Sequence, residues 1–221
     1  MDAIGVCASA YSNAICEDLR WALTHIEKSD GVHLWKSLSW DPSSADHIIY
    51  CDACPEGMGF WYLVSKDGYY APTPVNVPSD IIFYFEALYV LSALCNVQSR
   101  AQQGVKILIY TDNMNTVDIF CSLCCLLQYN HLLKQVVDIL IEQDFSLQVL
   151  HVTGDWNIVV DALSRIQFSV ILSVEPQLRL YSFHPPGLVG ASGWFVVQEH
   201  HGNLLGKPGQ WTDFSEKGPS L

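Results

Sequence analysis

The sequence predicts an α/β fold: a mixed five-stranded sheet, three antiparallel strands then parallel additions, flanked by helices. Three observations predict it. Short β-branched and aromatic runs at 47–52, 57–65 and 68–72 follow one another through tight turns, which makes an antiparallel meander. Two later strands, 105–111 and 145–152, are reached through helical segments and so add in parallel. Half of the 221 residues are hydrophobic, which is enough to bury a core and excludes disorder throughout.

In order along the chain, residues 13–28 read as a helix. Ile15, Leu19, Ala22 and Ile26 recur at helical spacing, and Asn13 offers a cap. Residues 29–46 read as a loop, closed by the boundary Trp40-Asp41-Pro42-Ser43-Ser44. After the meander, with its Lys66-Asp67-Gly68 turn, residues 79–96 have the length of a helix and a Ser79 or Asp80 cap. Residues 113–127 and 130–143 read as two helices, and 156–165 as a short last one. Beyond it, residues 167–221 hold 7 of the 14 glycines and 5 of the 10 prolines, with no convincing period beyond ILSV and WFVVQ. The expected organisation is therefore an N-terminal helix and linker (1–46), a domain at 47–166, and a loosely packed or disordered tail (167–221).

Charged residues are only 15% of the chain, against roughly 25% in typical soluble domains. That shortage suggests a piece that leans on neighbouring protein. The net charge of −12 is the wrong sign for a free-standing nucleic-acid binder, so metal ions or a tethered partner must supply positive charge if the ligand is a polyanion. The most apolar stretch, Ile81 to Cys95, is too short to span a membrane and contains Glu86. The start, MDAIGVCASA, lacks the basic residues of a signal peptide. Eight unevenly spaced cysteines with no secretory cue read as reduced thiols, so the expected location is intracellular, cytoplasmic or nuclear, and not secreted.

Four acids occupy positions where a structural carboxylate is hard to justify. Asp52 ends the first strand, Glu86 lies in the apolar helix, Asp112 ends the central strand, and Asp161 lies in the last helix. The strands ending at Asp52 and Asp112 should be neighbours, and the helix beside them can aim Glu86 at the same point. A single such Asp is usually a turn or cap residue, and a single Glu usually faces solvent. Four together repel unless neutralised, and hard oxygen ligands suit Mg²⁺ or Mn²⁺. Two such ions clamp the attacking and leaving oxygens of a phosphodiester.

The segments YCDACPEGMGFWY, FYFEALYVLSAL, ILIYTDNMNTV and HVTGDWNIVVDALSR resemble the ribonuclease H domain of retrotransposon reverse transcriptases, most of all those of DIRS-like and gypsy-like elements. The resemblance covers roughly 47–165, and its last two motifs are the most specific. It implies a ribonuclease H-like fold. It implies that Asp52, Glu86, Asp112 and Asp161 are a catalytic set binding two Mg²⁺ or Mn²⁺ ions. His151, ten residues before Asp161, would be the family's mobile histidine, assisting proton transfer or product release, and Asn157 the Asn of its last loop. Its bland alternative is a buried strand-end histidine bonded to backbone. The implied reaction is hydrolysis of the RNA strand of an RNA–DNA hybrid, leaving a 5′-phosphate and a 3′-hydroxyl, with the 2′-hydroxyl selecting RNA. Residues 13–46 and 183–191 resemble the flanks of that domain. No polymerase pattern is present, so the implied partners are the hybrid and a missing polymerase domain, in a mobile-element polyprotein.

Cys54 stands where the family usually has Ser, and Val160 where it usually has Ala; both swaps are small or apolar. Charge is the larger departure. Residues 47–165 hold 12 acids against 5 bases, Lys66, Arg100, Lys106, Lys134 and Arg165. Weak substrate affinity is the consequence, with binding supplied by the polymerase. The alternative is a catalytically inactive remnant or an interaction module. A proofreading exonuclease would want Asp-x-Glu on the first strand, and an integrase would want Glu in place of Asp161. Cys51-x-x-Cys54 and Cys121-x-x-Cys124 lie too far apart for a usual zinc pair and read as small core thiols. Trp61, Tyr62, Tyr69, Tyr70, Phe83, Tyr84 and Phe85 could stack bases but read first as core. Ser164 has no histidine within plausible reach to make it a nucleophile, and His200-His201 is assigned nothing.

Overall fold

A computed structural model describes residues 3–28, 40–73, 82–126, 129–186 and 198–199. Its elements are α1 (Ala3–Lys28), β1 (His47–Ala53), β2 (Gly57–Tyr62), β3 (Asp67–Pro72), α2 (Ile82–Gln98), β4 (Lys106–Thr111), α3 (Met114–Ser122), α4 (Asn130–Glu142), β5 (Ser146–His151), α5 (Ile158–Ser164), α6 (Phe168–Val174), β6 (Arg179–Ser182) and β7 (Gln198–Glu199).

The mixed α/β architecture and all five expected strands are present. β1, β2 and β3 form the antiparallel meander, and β4 and β5 add in parallel on the other side of β1. The strand count needs correcting. Among the described residues the sheet has seven strands in the order β5-β4-β1-β2-β3-β6-β7, with β6 parallel to β3. The expectation of a loose tail from 167 is overturned for 168–186: α6 and β6 form there, and Ile171, Leu178 and Phe183 are buried. Composition hid this, because the glycines and prolines of that stretch lie mainly beyond Pro186. Residues 187–197 and 200–221, including His200-His201, lie outside the described residues, as do 29–39 and the Ser79 and Asp80 cap positions.

Strand periodicity separates two faces. Ile49, Cys51, Phe60, Tyr62 and Tyr69 pack with α2 and α4 on one. Trp61 and Tyr70 pack with Val159, Val160, Ala162 and Leu163 of α5 and Ile171 of α6 on the other. The six aromatics with described side chains among the seven proposed as core are all buried; the Phe83 side chain lies outside the described residues. Cys51 and Cys54 are buried thiols, but Cys121, in the last turn of α3, and Cys124, beyond its left-handed end at Leu123, are exposed rather than core. α1 is longer than expected, so Asn13 lies within it. It meets α4 through polar contacts, Trp21 and His25 to Asp138 and Asp18 to Asn130 and Lys134. Its periodic stripe of Ile15, Leu19 and Ile26 is exposed.

Asp67 belongs to β3 rather than a turn. It is buried and held by Arg100, Arg179 and Ser65, which ties the start of β3 to the end of α2 and to β6. Among the described residues no helix is long and apolar enough to cross a membrane.

Glycine determines how α5 seats. A Cβ on Gly57 would stand 2.5 Å from the Ser164 carbonyl oxygen, and one on Gly59 would stand 2.7 Å from Leu163 Cβ. Only bare strand backbone lets α5 lie this close. Gly57→Ala should therefore cost about 1–3 kcal/mol by overpacking. Urea unfolding checks this, and unchanged stability would contradict the close seating.

Candidate active site

Asp52 and Asp112 reach the same end of the sheet because β1 and β4 are parallel neighbours, with Tyr50 opposite Tyr110. Asp52 projects from the sheet face that α5 covers. Its Oδ2 accepts a hydrogen bond from Ser164 Oγ at 2.6 Å, and the same hydroxyl oxygen lies 2.9 Å from the Asp161 carbonyl oxygen, which competes for its single proton. Asp112 is exposed just past β4, and a Cβ on Gly154 would lie 4.0 Å from its Oδ2. Glu86 enters from α2. Its Oε2 accepts from Thr116 Oγ1 at 2.9 Å and from Tyr89 Oη at 3.2 Å. Asp161 faces outward from α5 and pairs with Arg165 at 2.9 Å.

Burial pushes the Asp52 carboxyl up to about 6, and the Asp112 and Asp161 charges push the same way, against the Ser164 hydrogen bond. Burial pushes Glu86 up to about 7, with Asp52 adding to it, against hydrogen bonds from Thr116, Asn113 and Tyr89. The four carboxylates are thus linked by charge: Asp52 feels both outer aspartates and acts on Glu86. Arg165 is the only basic side chain bonded to them among the described residues.

His151 ends β5 opposite Thr111, is exposed, and so stands beside the strand that delivers Asp112. The buried reading of this histidine does not hold. Asn157 heads α5 and is buried, with its backbone carbonyl accepting from Asp161 N at 3.0 Å. Both its side-chain polar atoms lack a hydrogen-bond partner among the described residues.

A hard divalent cation fits the donor chemistry: neighbouring carboxyl oxygens whose ionisation burial opposes, and almost no counter-charge. The side chains are not gathered into a cage. Among the described residues no three His, Cys, Asp or Glu groups stand close enough together to hold a metal ion. Instead Glu86 is engaged by hydroxyls, Asp52 by Ser164 and Asp161 by Arg165.

Sequence reasoning missed the residues that hold these acids. In the sequence Ser164 stands out only as a nucleophile candidate, and Thr116 carries no motif that marks it. Tyr89 lies one helical turn after Glu86, a spacing that could have identified it.

Both raised carboxyls bind protons more tightly in the folded chain than in the unfolded one. Without metal, their ionisation should erode stability as pH rises from about 4 to about 7, on the order of 3 kcal/mol for each group. Thermal melts should therefore fall across that window. Mg²⁺ should raise the melting temperature more at pH 8 than at pH 5. A Mg²⁺ effect that is absent at both would contradict this account of the site.

No family model matches this chain, and no curated protein matches it. Solved structures similar to it include LC11-RNase H1 in complex with an RNA/DNA hybrid. That likeness has 16% identity and a TM-score of 0.43, over 53% of this chain and 93% of that one. Another is the native protease-reverse transcriptase of prototype foamy virus, at 16% identity and a TM-score of 0.43, over 59% of this chain and 22% of that one.

Proposed function

We propose that this chain is a two-metal-ion ribonuclease H that cleaves the RNA strand of RNA–DNA hybrids, as part of a DIRS-like or gypsy-like retrotransposon reverse transcriptase. The observation that carries the reading is the placement of four carboxylates from separate elements at one sheet end: parallel β1 and β4 deliver Asp52 and Asp112, Ser164 ties Asp52 to the helix of Asp161, and Glu86 enters from α2, with burial pushing Asp52 and Glu86 up. They are the four that the motif resemblance selects.

Asp52, Glu86, Asp112 and Asp161 would hold the two Mg²⁺ or Mn²⁺ ions, which supply an activated water and stabilise the leaving oxygen. Ser164 fixes Asp52 from below, and Tyr89 and Thr116 fix Glu86. Arg165 pairs with Asp161 and would share that carboxylate with a bound cation. His151, exposed beside Asp112, would move a proton at the product end or ease product release. The polymerase domain of the same polyprotein would supply the basic surface that this chain lacks.

A second reading is a catalytically inactive ribonuclease H-like remnant or interaction module. The absence of a gathered three-ligand cage among the described residues favours it.

Cleavage of a labelled RNA–DNA hybrid in Mg²⁺ or Mn²⁺ at low salt separates the two. The parent should cut the RNA strand and Asp112→Asn should lose at least about 100-fold of that rate, the loss expected when a group stabilising the transition state is removed. A folded parent that leaves the hybrid intact at high protein concentration supports the remnant.

A further inference from the structure

We infer that Trp156 is a nucleobase-stacking residue on the rim of the carboxylate site, taking an unstacked base at the edge of the bound nucleic acid. The inference rests on the proposed function only in taking nucleic acid as the substrate class.

Among the tryptophans with described side chains, Trp40 and Trp61 are buried and Trp21 is half-buried, whereas Trp156 is 77% exposed. An indole left this bare forgoes a large burial gain. Its support is fixed. Trp156 closes the 3₁₀ turn Gly154–Trp156, with Trp156 N donating to Thr153 O and Asn157 N to Gly154 O, each at 2.9 Å. That turn begins near Asp112, since a Cβ added to Gly154 would lie 4.0 Å from Asp112 Oδ2, and Val152 N is bonded to Thr111 O. The turn therefore joins His151 to the helix of Asp161 and carries the indole at the site's edge. Met114, next to the Asn113 cap, and Ile158 are exposed as well and give the same rim an apolar character.

The charges say why an aromatic is needed there. Each of the five basic residues in 47–165 is engaged: Lys66 with Glu175, Arg100 with Asp67, Lys134 with Asp18, Arg165 with Asp161, and Lys106 with Ser44. Lys106 also lies at the start of β4, the far end from the carboxylates. Of the five, Arg165 is the one bonded within the site and Asp161 holds it, so among the described residues phosphate meets no unpaired Lys or Arg there in the metal-free chain. Stacking needs none, and it tolerates any base because every base has a π face.

The test measures binding in an Asp112→Asn background, which blocks cleavage, in Mg²⁺ at low salt. Probes are an RNA–DNA hybrid with a single-stranded RNA overhang, the same hybrid with an abasic overhang, and a blunt hybrid. With the base-bearing overhang, Trp156→Ala should weaken binding about 5- to 150-fold, and Trp156→Phe should recover most of it. The emission present in the background but absent from Trp156→Phe should be quenched on binding. The Trp156→Ala deficit should vanish with the abasic overhang and persist as salt is raised, because stacking is not ionic. The melting temperature of Trp156→Ala should match the background, since the side chain is exposed. Equal affinity of Trp156→Ala and the background on every probe overturns the inference and leaves the indole to a protein partner. Cleavage by the parent is measured alongside. A Trp156-dependent affinity without cleavage keeps the inference and removes the nuclease reading. Cleavage without Trp156 dependence removes the inference alone. Failure of the background to bind any probe, with a parent that leaves the hybrid intact, overturns both.

Discussion

A helix can lie directly on a strand only where the strand offers no side chain. Gly57 and Gly59 make β2 bare along the track that α5 crosses, with Ser164 and Leu163 within contact of the strand backbone. The last carboxylate helix is thereby brought down onto the sheet instead of riding on a layer of side chains. Ser164 then reaches Asp52, which β1 projects toward the same face, and Asp161 is carried to the same end of the sheet as Asp112. Remove that seating and Ser164 and Asp161 lose their place beside Asp52, leaving only Asp52 and Asp112 brought together by the parallel strands. With it the four acids are one charged group.

The grouping is costly, and the structure shows where the cost is met. Hydroxyls, not cations, hold the two buried acids. Ser164 serves Asp52, and Thr116 and Tyr89 serve Glu86, with Tyr89 itself linked to Thr111 at 2.6 Å. Hydroxyl hydrogen bonds orient a carboxylate without cancelling its charge, so the residual repulsion remains available to an incoming divalent ion. Elsewhere the domain does the opposite. Buried Asp67 is matched by Arg100 and Arg179, as a structural carboxylate should be. The contrast between Asp67 and Asp52 within one sheet is the physical basis for reading the second as functional.

Much of this was legible in the sequence. The meander, the parallel strands and the helices of the core follow from periodicity, and the four acids stand out as charges at strand ends and in an apolar helix. What was not legible depends on pairing at a distance. β6 and α6 were hidden because α6 has only seven residues and β6 only four, next to glycine- and proline-rich chain. Asp67 looked like a turn residue because its two arginine partners are 33 and 112 positions away. The exposure of Ile15, Leu19 and Ile26 was hidden because a helical stripe does not say whether anything covers it.

The central claim is that Asp52 and Glu86 are parts of one under-neutralised carboxylate group that a divalent cation relieves. Carboxyl-detected NMR titration of the metal-free chain, repeated with Mg²⁺, measures this directly. The account predicts that Asp52 titrates near 6 and Glu86 near 7 without metal, and that Mg²⁺ moves both downward. Titration of both in the ordinary carboxylate range, indifferent to Mg²⁺, would contradict it.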